Sequence, residues 1–182
     1  MTSAIGVFVP VAVITGLSVM AARDDTNAGA GSSPADPPRP DDAFAMTVTK
    51  IIDGDTIHAS LTTPNDVVTT TRPISIRLIG INTPETYPEL ECWGDEARSA
   101  LGRMIPEGST VWVGTDAETW DRYDRRLFYL WTDEGRFVNL ELVREGAADT
   151  LRIAPNVAHA PLFAEARDDA DDADLGRWGA CG

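Results

Sequence analysis

The sequence predicts an α+β fold, in which a small five-stranded β-barrel of the OB type carries three α-helices packed against its outside. Short segments rich in valine, isoleucine and threonine recur between residues 44 and 132, and turns containing Gly, Pro or Asp separate them. Apolar residues recur at helical spacing in three other segments. The chain has 182 residues, of which 43% are hydrophobic, so we expect one domain with a sizeable core.

The strands are predicted from alternating apolar residues. In the third of them the alternation places Arg77 opposite the main apolar face. A sharp bend at Asp53-Gly54 joins the first strand to the second. The five predicted strands are residues 46–52, 56–61, 74–79, 110–115 and 127–132.

Three helices are predicted over residues 97–105, 140–147 and 162–173. Asn139 is expected to be the N-cap of the second, and Gly176 lies just past the end of the third. The third helix has an acidic outer face, which we expect to be solvated.

Residues 1–22 are predicted to be a signal sequence or a membrane anchor, because residues 4–22 are almost entirely apolar. A buried core helix is the alternative for this segment. Residues 23–43 are rich in Gly, Pro, Ser, Ala and Asp without periodicity, which predicts a disordered acidic linker. Residues 44–182 are predicted to form the folded domain. We therefore expect an extracellular protein, either secreted or tethered to the outer face of the cell membrane through residues 4–22.

The formal net charge of the chain is −14. An acidic surface repels a polyanion, so a nucleic-acid partner would need a local cluster of positive charge, helped by a metal. Because the acidic residues are spread along the whole chain, they indicate adaptation to high salt, with an acidic regulatory protein as the alternative.

Two segments offer oxygen ligands. Asp53 and Asp55 are two residues apart, so in an extended segment their carboxylates point the same way and suit a hard cation. A simple turn is the alternative for this motif. Further along, Pro84 forces Thr83 toward an extended conformation, which can leave the Thr83 carbonyl free to meet a cation. Glu85 follows directly as a candidate base.

A third segment, residues 121–127 (DRYDRRL), concentrates positive charge in an otherwise acidic chain. Guanidinium groups match phosphate oxygens bidentately, so these arginines are candidate phosphate ligands. Surface ion pairs with Asp121 and Asp124 are the alternative.

Together these motifs closely resemble the thermonuclease (staphylococcal-type nuclease) family. The resemblance covers residues 46–181 and implies calcium-dependent hydrolysis of phosphodiester bonds in DNA and RNA, leaving 3′-phosphate ends. The matching segments, in the order of the family, are IIDGDTIHA, IRLIGINTPET, DRYDRRLFYLW, VNLELVREGAA, PNVAH and LGRWG.

The resemblance also implies a role for individual residues. One Ca²⁺ ion is expected, with Mg²⁺ or Mn²⁺ as alternatives. A metal and two guanidinium groups would neutralise charge in the transition state while a carboxylate takes a proton from water. The residues implied are the metal ligands Asp55, Asn82 and Thr83 (through its carbonyl), the general base Glu85, the phosphate-binding Arg77 and Arg125, and the substrate-binding Tyr123.

The chain departs from the family pattern at several positions. Asn82 stands where the best-known members have a second metal-binding aspartate, so weaker metal binding or a different metal is expected. Leu151 and Ile153 stand where those members place tyrosines against the bases, so base stacking is lost there. Asp124 replaces the usual glycine.

Cys92 and Cys181 are the two cysteines of the chain, and an exported protein favours a disulfide between them. This bond would tie the C-terminus to the loop behind the active site. His58 and His159 are far apart and form no metal signature, so both are expected to be structural.

The alternative function is a non-catalytic OB-type module that binds nucleic acid or protein. Asp55, Arg77, Glu85 and Arg125 are all present, which such a module has no physical need for, so the sequence favours catalysis. A monomer is expected.

Overall fold

The computed structural model describes residues 1–2 and 36–181, and these residues have the predicted α+β architecture. Five strands form a closed barrel in the order β1-β2-β3-β6-β5. Three helices of seven or more residues accompany the barrel, and a fourth, shorter helix precedes the C-terminus. The elements are β1 (Phe44–Ile51), β2 (Thr56–Ser60), β3 (Ile74–Leu78), β4 (Ile81–Asn82), α1 (Gly94–Met104), β5 (Thr110–Gly114), β6 (Arg126–Thr132), α2 (Val138–Arg144), β7 (Asp149–Thr150), α3 (Ala160–Asp172) and α4 (Arg177–Ala180).

The barrel closes through one parallel and four antiparallel strand pairs. β1 pairs with β2 and with β5, β2 pairs with β3, and β5 pairs with β6, all antiparallel. β3 and β6 are parallel, with Arg77 opposite Leu127. Closure leaves the barrel without an open edge, and the inward-facing residues of its five strands form one core.

Two short elements and one cap differ from the sequence prediction. β4 and β7 form a separate two-stranded sheet, in which Asn82 pairs with Asp149. The N-cap of α2 is Phe137, not Asn139. Asn139 is fully buried within the helix, where its side chain accepts the N–H of Leu130 and donates to the carbonyl of Ile79, both at 2.9 Å. The Asn139 cap prediction is therefore wrong, because a buried tertiary role takes the side chain.

An aromatic cluster joins the barrel to α3. The rings of Trp131 and Phe137 stack with centroids 4.6 Å apart, and His159 lies edge-on to Tyr129 at 4.7 Å. Phe163 of α3 completes the cluster, 5.6 Å from Phe137. This packing fixes the helix that follows β7 against the barrel wall.

Residues 36–43, here called the N-terminal strap, contact the barrel although composition assigns them to the linker. Trp131 Nε1 donates a hydrogen bond to the carbonyl of Pro37 at 3.1 Å. The guanidinium of Arg39 lies 3.9 Å from the centroid of the Trp112 ring, a cation–π distance. The strap therefore covers two tryptophans of the barrel.

The predicted signal sequence or anchor lies outside the described residues, apart from Met1 and Thr2, and so does the linker up to residue 35. Within residues 1–2 and 36–181, no helix has the length and hydrophobicity needed to cross a bilayer.

The predicted disulfide between Cys92 and Cys181 is present, with a sequence separation of 89 residues. Cys92 lies just before α1 and Cys181 just after α4. The bond thus fixes the C-terminal end of the domain to the segment that leads from β4 into α1.

We expect a Cys92→Ser/Cys181→Ser double variant to lose about 4–5 kcal/mol of unfolding free energy, because a loop of about 90 residues is no longer closed in the unfolded chain. Urea unfolding of the oxidised wild type and the double variant measures this difference. Reductant should lower the wild type to the level of the variant and leave the variant unchanged. A difference below about 1 kcal/mol would contradict the expectation.

A second prediction concerns His159. Burial lowers the pKa of His159, while the charge of Asp116 opposes this effect. The unfolded chain therefore binds a proton more readily than the folded domain, and His159 should make the unfolding free energy fall as the pH drops from about 7.5 through the ordinary histidine pKa of about 6.5. Urea unfolding between pH 7.5 and 5.5 should show a shallower fall in His159→Gln, whereas His58→Gln, which changes a β2 residue, should retain it.

Candidate active site

Arg77 lies at the centre of a partly buried polar network at the end of β3. Its Nη1 donates to the carbonyls of Leu78 and Ile81, both at 2.9 Å. Its Nη2 lies 2.9 Å from Asn82 Oδ1 and 2.9 Å from Asp55 Oδ2. The guanidinium therefore ties the start of β2 to the end of β3 and to β4.

Asp55 is held from three sides. Its Oδ2 accepts the backbone N–H of Thr83 at 2.8 Å, and its Oδ1 accepts the Thr56 hydroxyl at 3.1 Å. Asp53 Oδ1 accepts the N–H of Asp55 at 3.0 Å, so the Asp53 side chain forms the turn. A Cβ at Gly54 would lie 2.7 Å from the Thr83 side chain, and a glycine is therefore needed for the bend to approach Thr83.

The charge of Asp55 is only partly compensated. Burial raises the pKa of Asp55 to about 6, although Arg77 and hydrogen bonds from Thr83 and Thr56 act in the opposite direction. Burial also lowers the pKa of Arg77, and the Asp55 carboxylate opposes that change. A buried carboxylate in this condition would gain from a further positive charge beside it.

The oxygen donors at this point suit a hard divalent cation. Asp55 contributes a carboxylate and Asn82 an exposed amide, whose Nδ2 lies 3.4 Å from the Thr83 carbonyl. Carboxylate, amide and carbonyl oxygens are the ligands that calcium and magnesium prefer. Within residues 1–2 and 36–181, no group of three or more His, Cys, Asp or Glu could hold a metal ion. The donor set therefore fits a cation whose other ligands come from water or substrate.

Glu85 follows this network and has an exposed side chain. Its backbone is held by Glu91, whose Oε2 accepts the Glu85 N–H and whose own N–H donates to the Glu85 carbonyl, both at 2.9 Å. A Cβ at Gly94 would lie 2.6 Å from that carbonyl oxygen, so α1 begins in close contact with Glu85. Cys92 follows Glu91 directly, and the disulfide therefore anchors the same loop.

Arg125 is oriented by Asp121. Arg125 Nε lies 2.7 Å from Asp121 Oδ2, while Asp121 Oδ1 accepts the backbone N–H groups of Tyr123 and Arg125. The ion-pair alternative thus applies to this arginine, but only its Nε is used in that pair. Tyr123 is 62% exposed, with the guanidinium of Arg125 5.4 Å from its ring centroid. Asp124 has a φ of 59°, in the left-handed region, where a glycine would be less strained.

One cleft of about 580 Å³ brings most of the predicted residues together. Asp55 and Thr83 do not line it. They are buried, 5% and 2% exposed, and contact its lining through Arg77 and Asn82. The predicted site residues that line the cleft are Arg77, Asn82, Glu85, Tyr123 and Arg125, and the departing positions Leu151 and Ile153 line it as well.

Sequence reasoning missed three residues of the site. Glu91 holds the backbone of Glu85, Trp120 lines the cleft, and Asn156 holds the Glu118 backbone on the cleft wall. Trp120 stands directly before the arginine-rich segment, so its position beside that motif was the available signal. Contacts over 38 residues, such as the one between Asn156 and Glu118, leave no local pattern.

Comparisons with known proteins identify relatives of this chain. The chain is 35% identical over 127 residues to the endonuclease YhcR of Bacillus subtilis (strain 168), a match that covers 65% of this chain and 10% of that protein. It is 29% identical over 134 residues to a thermonuclease of Staphylococcus intermedius, covering 72% of this chain and 74% of that one. It is 30% identical over 139 residues to the protein ParB of Escherichia coli, covering 72% of this chain and 70% of that one.

This chain thus spans about one tenth of the length of the YhcR endonuclease and about three quarters of the staphylococcal thermonuclease. The sequence model of the family described as staphylococcal nuclease homologue matches residues 75–180, more than half of the chain. Together with the five-stranded barrel, this match shows that the chain belongs to the staphylococcal nuclease homologue family.

Proposed function

We propose that this protein is a calcium-dependent nuclease that hydrolyses phosphodiester bonds of DNA and RNA and leaves 3′-phosphate ends. The observation that carries the proposal is that one cleft is lined by the exposed carboxylate of Glu85 and by two arginines, Arg77 and Arg125. Family membership and the nuclease names of the relatives support the same reaction.

The chemistry assigned to the residues follows from their contacts. Arg125 uses Nε for Asp121, so its two terminal nitrogens can take a phosphate in bidentate fashion. Glu85 accepts a proton from the attacking water as the new P–O bond forms. The bond from phosphorus to the 5′ oxygen breaks, and that oxygen takes up a proton from solvent water. The 3′ fragment of the cut then begins with a 5′ hydroxyl, and the phosphate stays on the 3′ oxygen.

Asp55, Asn82 and the Thr83 carbonyl would hold the cation. When bound, a hard divalent cation supplies charge neutralisation at the phosphate oxygens. Arg77 binds the same Asp55 and Asn82 oxygens in the described structure, so its guanidinium keeps these oxygens together. Ca²⁺ is the proposed ion, with Mg²⁺ or Mn²⁺ as the alternatives, since all three accept oxygen ligands.

We also propose that the protein acts outside the cell as a monomer, either secreted or tethered through residues 4–22. The Cys92–Cys181 disulfide supports an oxidising compartment. The diffuse net charge of −14 supports a role at high salt.

The carboxylate of Glu85 distinguishes the nuclease from the non-catalytic alternative, because only catalysis needs it. Glu85→Gln should lower the cleavage rate of single-stranded DNA by about 10²–10⁴-fold, because the amide cannot accept the proton of water. Gel assays in molar salt, with calcium and then with chelator, measure the rate. Chelator should abolish cleavage by the wild-type chain.

Glu89→Gln is the matched control, since Glu89 is exposed in the same loop but does not line the cleft. Its activity should equal that of the wild type. If the folded wild-type chain binds single-stranded DNA and cleaves nothing with calcium, magnesium or manganese, the binding-module alternative replaces the nuclease.

A further prediction concerns Asn82. Asn82→Asp adds a second carboxylate beside Asp55 and should raise calcium affinity by about fivefold or more, since a nearby unit charge contributes at least about 1 kcal/mol. Isothermal titration calorimetry measures the affinity. Asn65→Asp is the matched control, because it adds the same charge in the β2–β3 connection, where the Asn65 side chain accepts the N–H groups of Val67 and Val68. This variant should leave the calcium affinity unchanged. Equal affinities for both variants would remove Asn82 from the metal site.

A further inference from the structure

Trp120 has a large apolar surface on the cleft that the chemistry above does not use. The residue is 50% exposed and lines the cleft together with Tyr123 and Arg125. Large exposed aromatic surface in a cleft marks a binding position.

Arg126 packs against the Trp120 ring, which stays half exposed. The guanidinium of Arg126 lies 3.6 Å from the ring centroid. Arg126 is itself buried, at 9% exposed, so it supports the ring from the barrel side. Within the described part of the chain, the Nε of Arg126 has no hydrogen-bond partner, and its Nη1 donates to the Thr119 hydroxyl. Arg126 thus holds the indole in place, while half of the residue's surface stays accessible on the cleft.

The ring belongs to the same hairpin as the phosphate-binding arginine. Trp120 and Arg126 form a β-bridge, and Asp121 donates its backbone N–H to the carbonyl of Arg125 at 3.0 Å. Asp121 also orients the Arg125 side chain. A nucleotide whose phosphate binds Arg125 therefore has Trp120 within the same rigid unit.

An aliphatic wall forms another side of this part of the cleft. Leu151 and Ile153, which are 36% and 60% exposed, line it with Pro155. Asn156 links this wall to the segment that leads to Trp120. Its Oδ1 accepts the N–H of Glu118 and its Nδ2 donates to the carbonyl of Glu118, both at 2.8 Å. The separation between the two walls is therefore fixed by the fold.

We propose that Trp120 is a nucleobase-binding residue, on which an unpaired base next to the phosphate held by Arg125 stacks. The proposal rests on the nuclease function and extends it to the choice of substrate. A base inside a duplex has no free face, so Trp120 favours single strands. Because every base has a π-face and the wall of Leu151, Ile153 and Pro155 is apolar, the site accepts all bases without reading their edges.

The test measures binding of a fluorescein-labelled single-stranded 12-nucleotide DNA by anisotropy, with calcium, in the Glu85→Gln background. Trp120→Ala should raise Kd by between about 5-fold and 150-fold, the range for loss of one stacked base. Trp120→Phe should recover most of the affinity, because it keeps an aromatic face. A duplex of the same sequence should bind with equal affinity to Glu85→Gln and to the variant that adds Trp120→Ala.

Trp112→Ala is the matched control. Trp112 also has an arginine stacked on its ring, but it lies on β5 and does not line the cleft. Its Kd should stay within about twofold of the parent, since no base stack is removed. Thermal unfolding of each variant verifies that it is folded.

An oligonucleotide with abasic sites in place of its bases separates stacking from charge. The parent should bind the abasic strand more weakly than the normal strand. The variant with Trp120→Ala should bind the two strands with nearly equal affinity. Equal affinities of Trp120→Ala and the parent for the normal oligonucleotide would overturn the proposal, as would an equal loss on normal and abasic strands. Cleavage by the wild-type chain is scored separately. Binding that depends on Trp120 without cleavage rejects the nuclease and keeps the base site, and the reverse pattern rejects the base site alone.

Discussion

The site depends on the buried ion pair between Asp55 and Arg77. Their side chains are only 7% and 11% exposed, so each charge relies on the other and on the hydrogen bonds around it. Removal of one partner from such a pair typically costs about 3–5 kcal/mol, because the remaining charge is left uncompensated. The pair joins β2, β3 and β4, and through Thr83 it fixes the backbone from which Glu85 extends. The contacts of this one pair therefore hold both the polar groups of the site and the three strands that carry them.

The acidic composition and the arginine cleft have separate roles. Of the arginines that line the cleft, Arg77 is paired with Asp55 and Arg125 with Asp121. Each aspartate orients the guanidinium group beside it, but its negative charge also lowers the positive electrostatic potential there. A protein of net charge −14 can approach a polyanion only where such groups are concentrated, and ionic screening at high salt weakens the repulsion from the rest of the surface.

The barrel strands and the polar clusters could be predicted because their patterns are local. Ile76 and Leu78 alternate with Arg77, and the three motifs occur in family order. β4 and β7 have two residues each, too few for any periodicity. Asn139 has the chemistry of a cap, and only the tertiary fold shows that it bridges Leu130 and Ile79. The Cys92–Cys181 bond could be predicted because the chain has two cysteines, whereas nothing local shows that Glu91 holds Glu85.

The N-terminal strap defines where the domain can be cut. A chain that begins at Phe44 loses the Pro37 carbonyl that accepts Trp131 Nε1, the arginine on Trp112 and the carboxylate of Asp36 that pairs with Arg144. The hydrogen bond from Trp131 alone is worth about 0.5–1.5 kcal/mol, and its loss opens the indole to water. A fragment that keeps all of these contacts therefore begins at or before Asp36 rather than at Phe44.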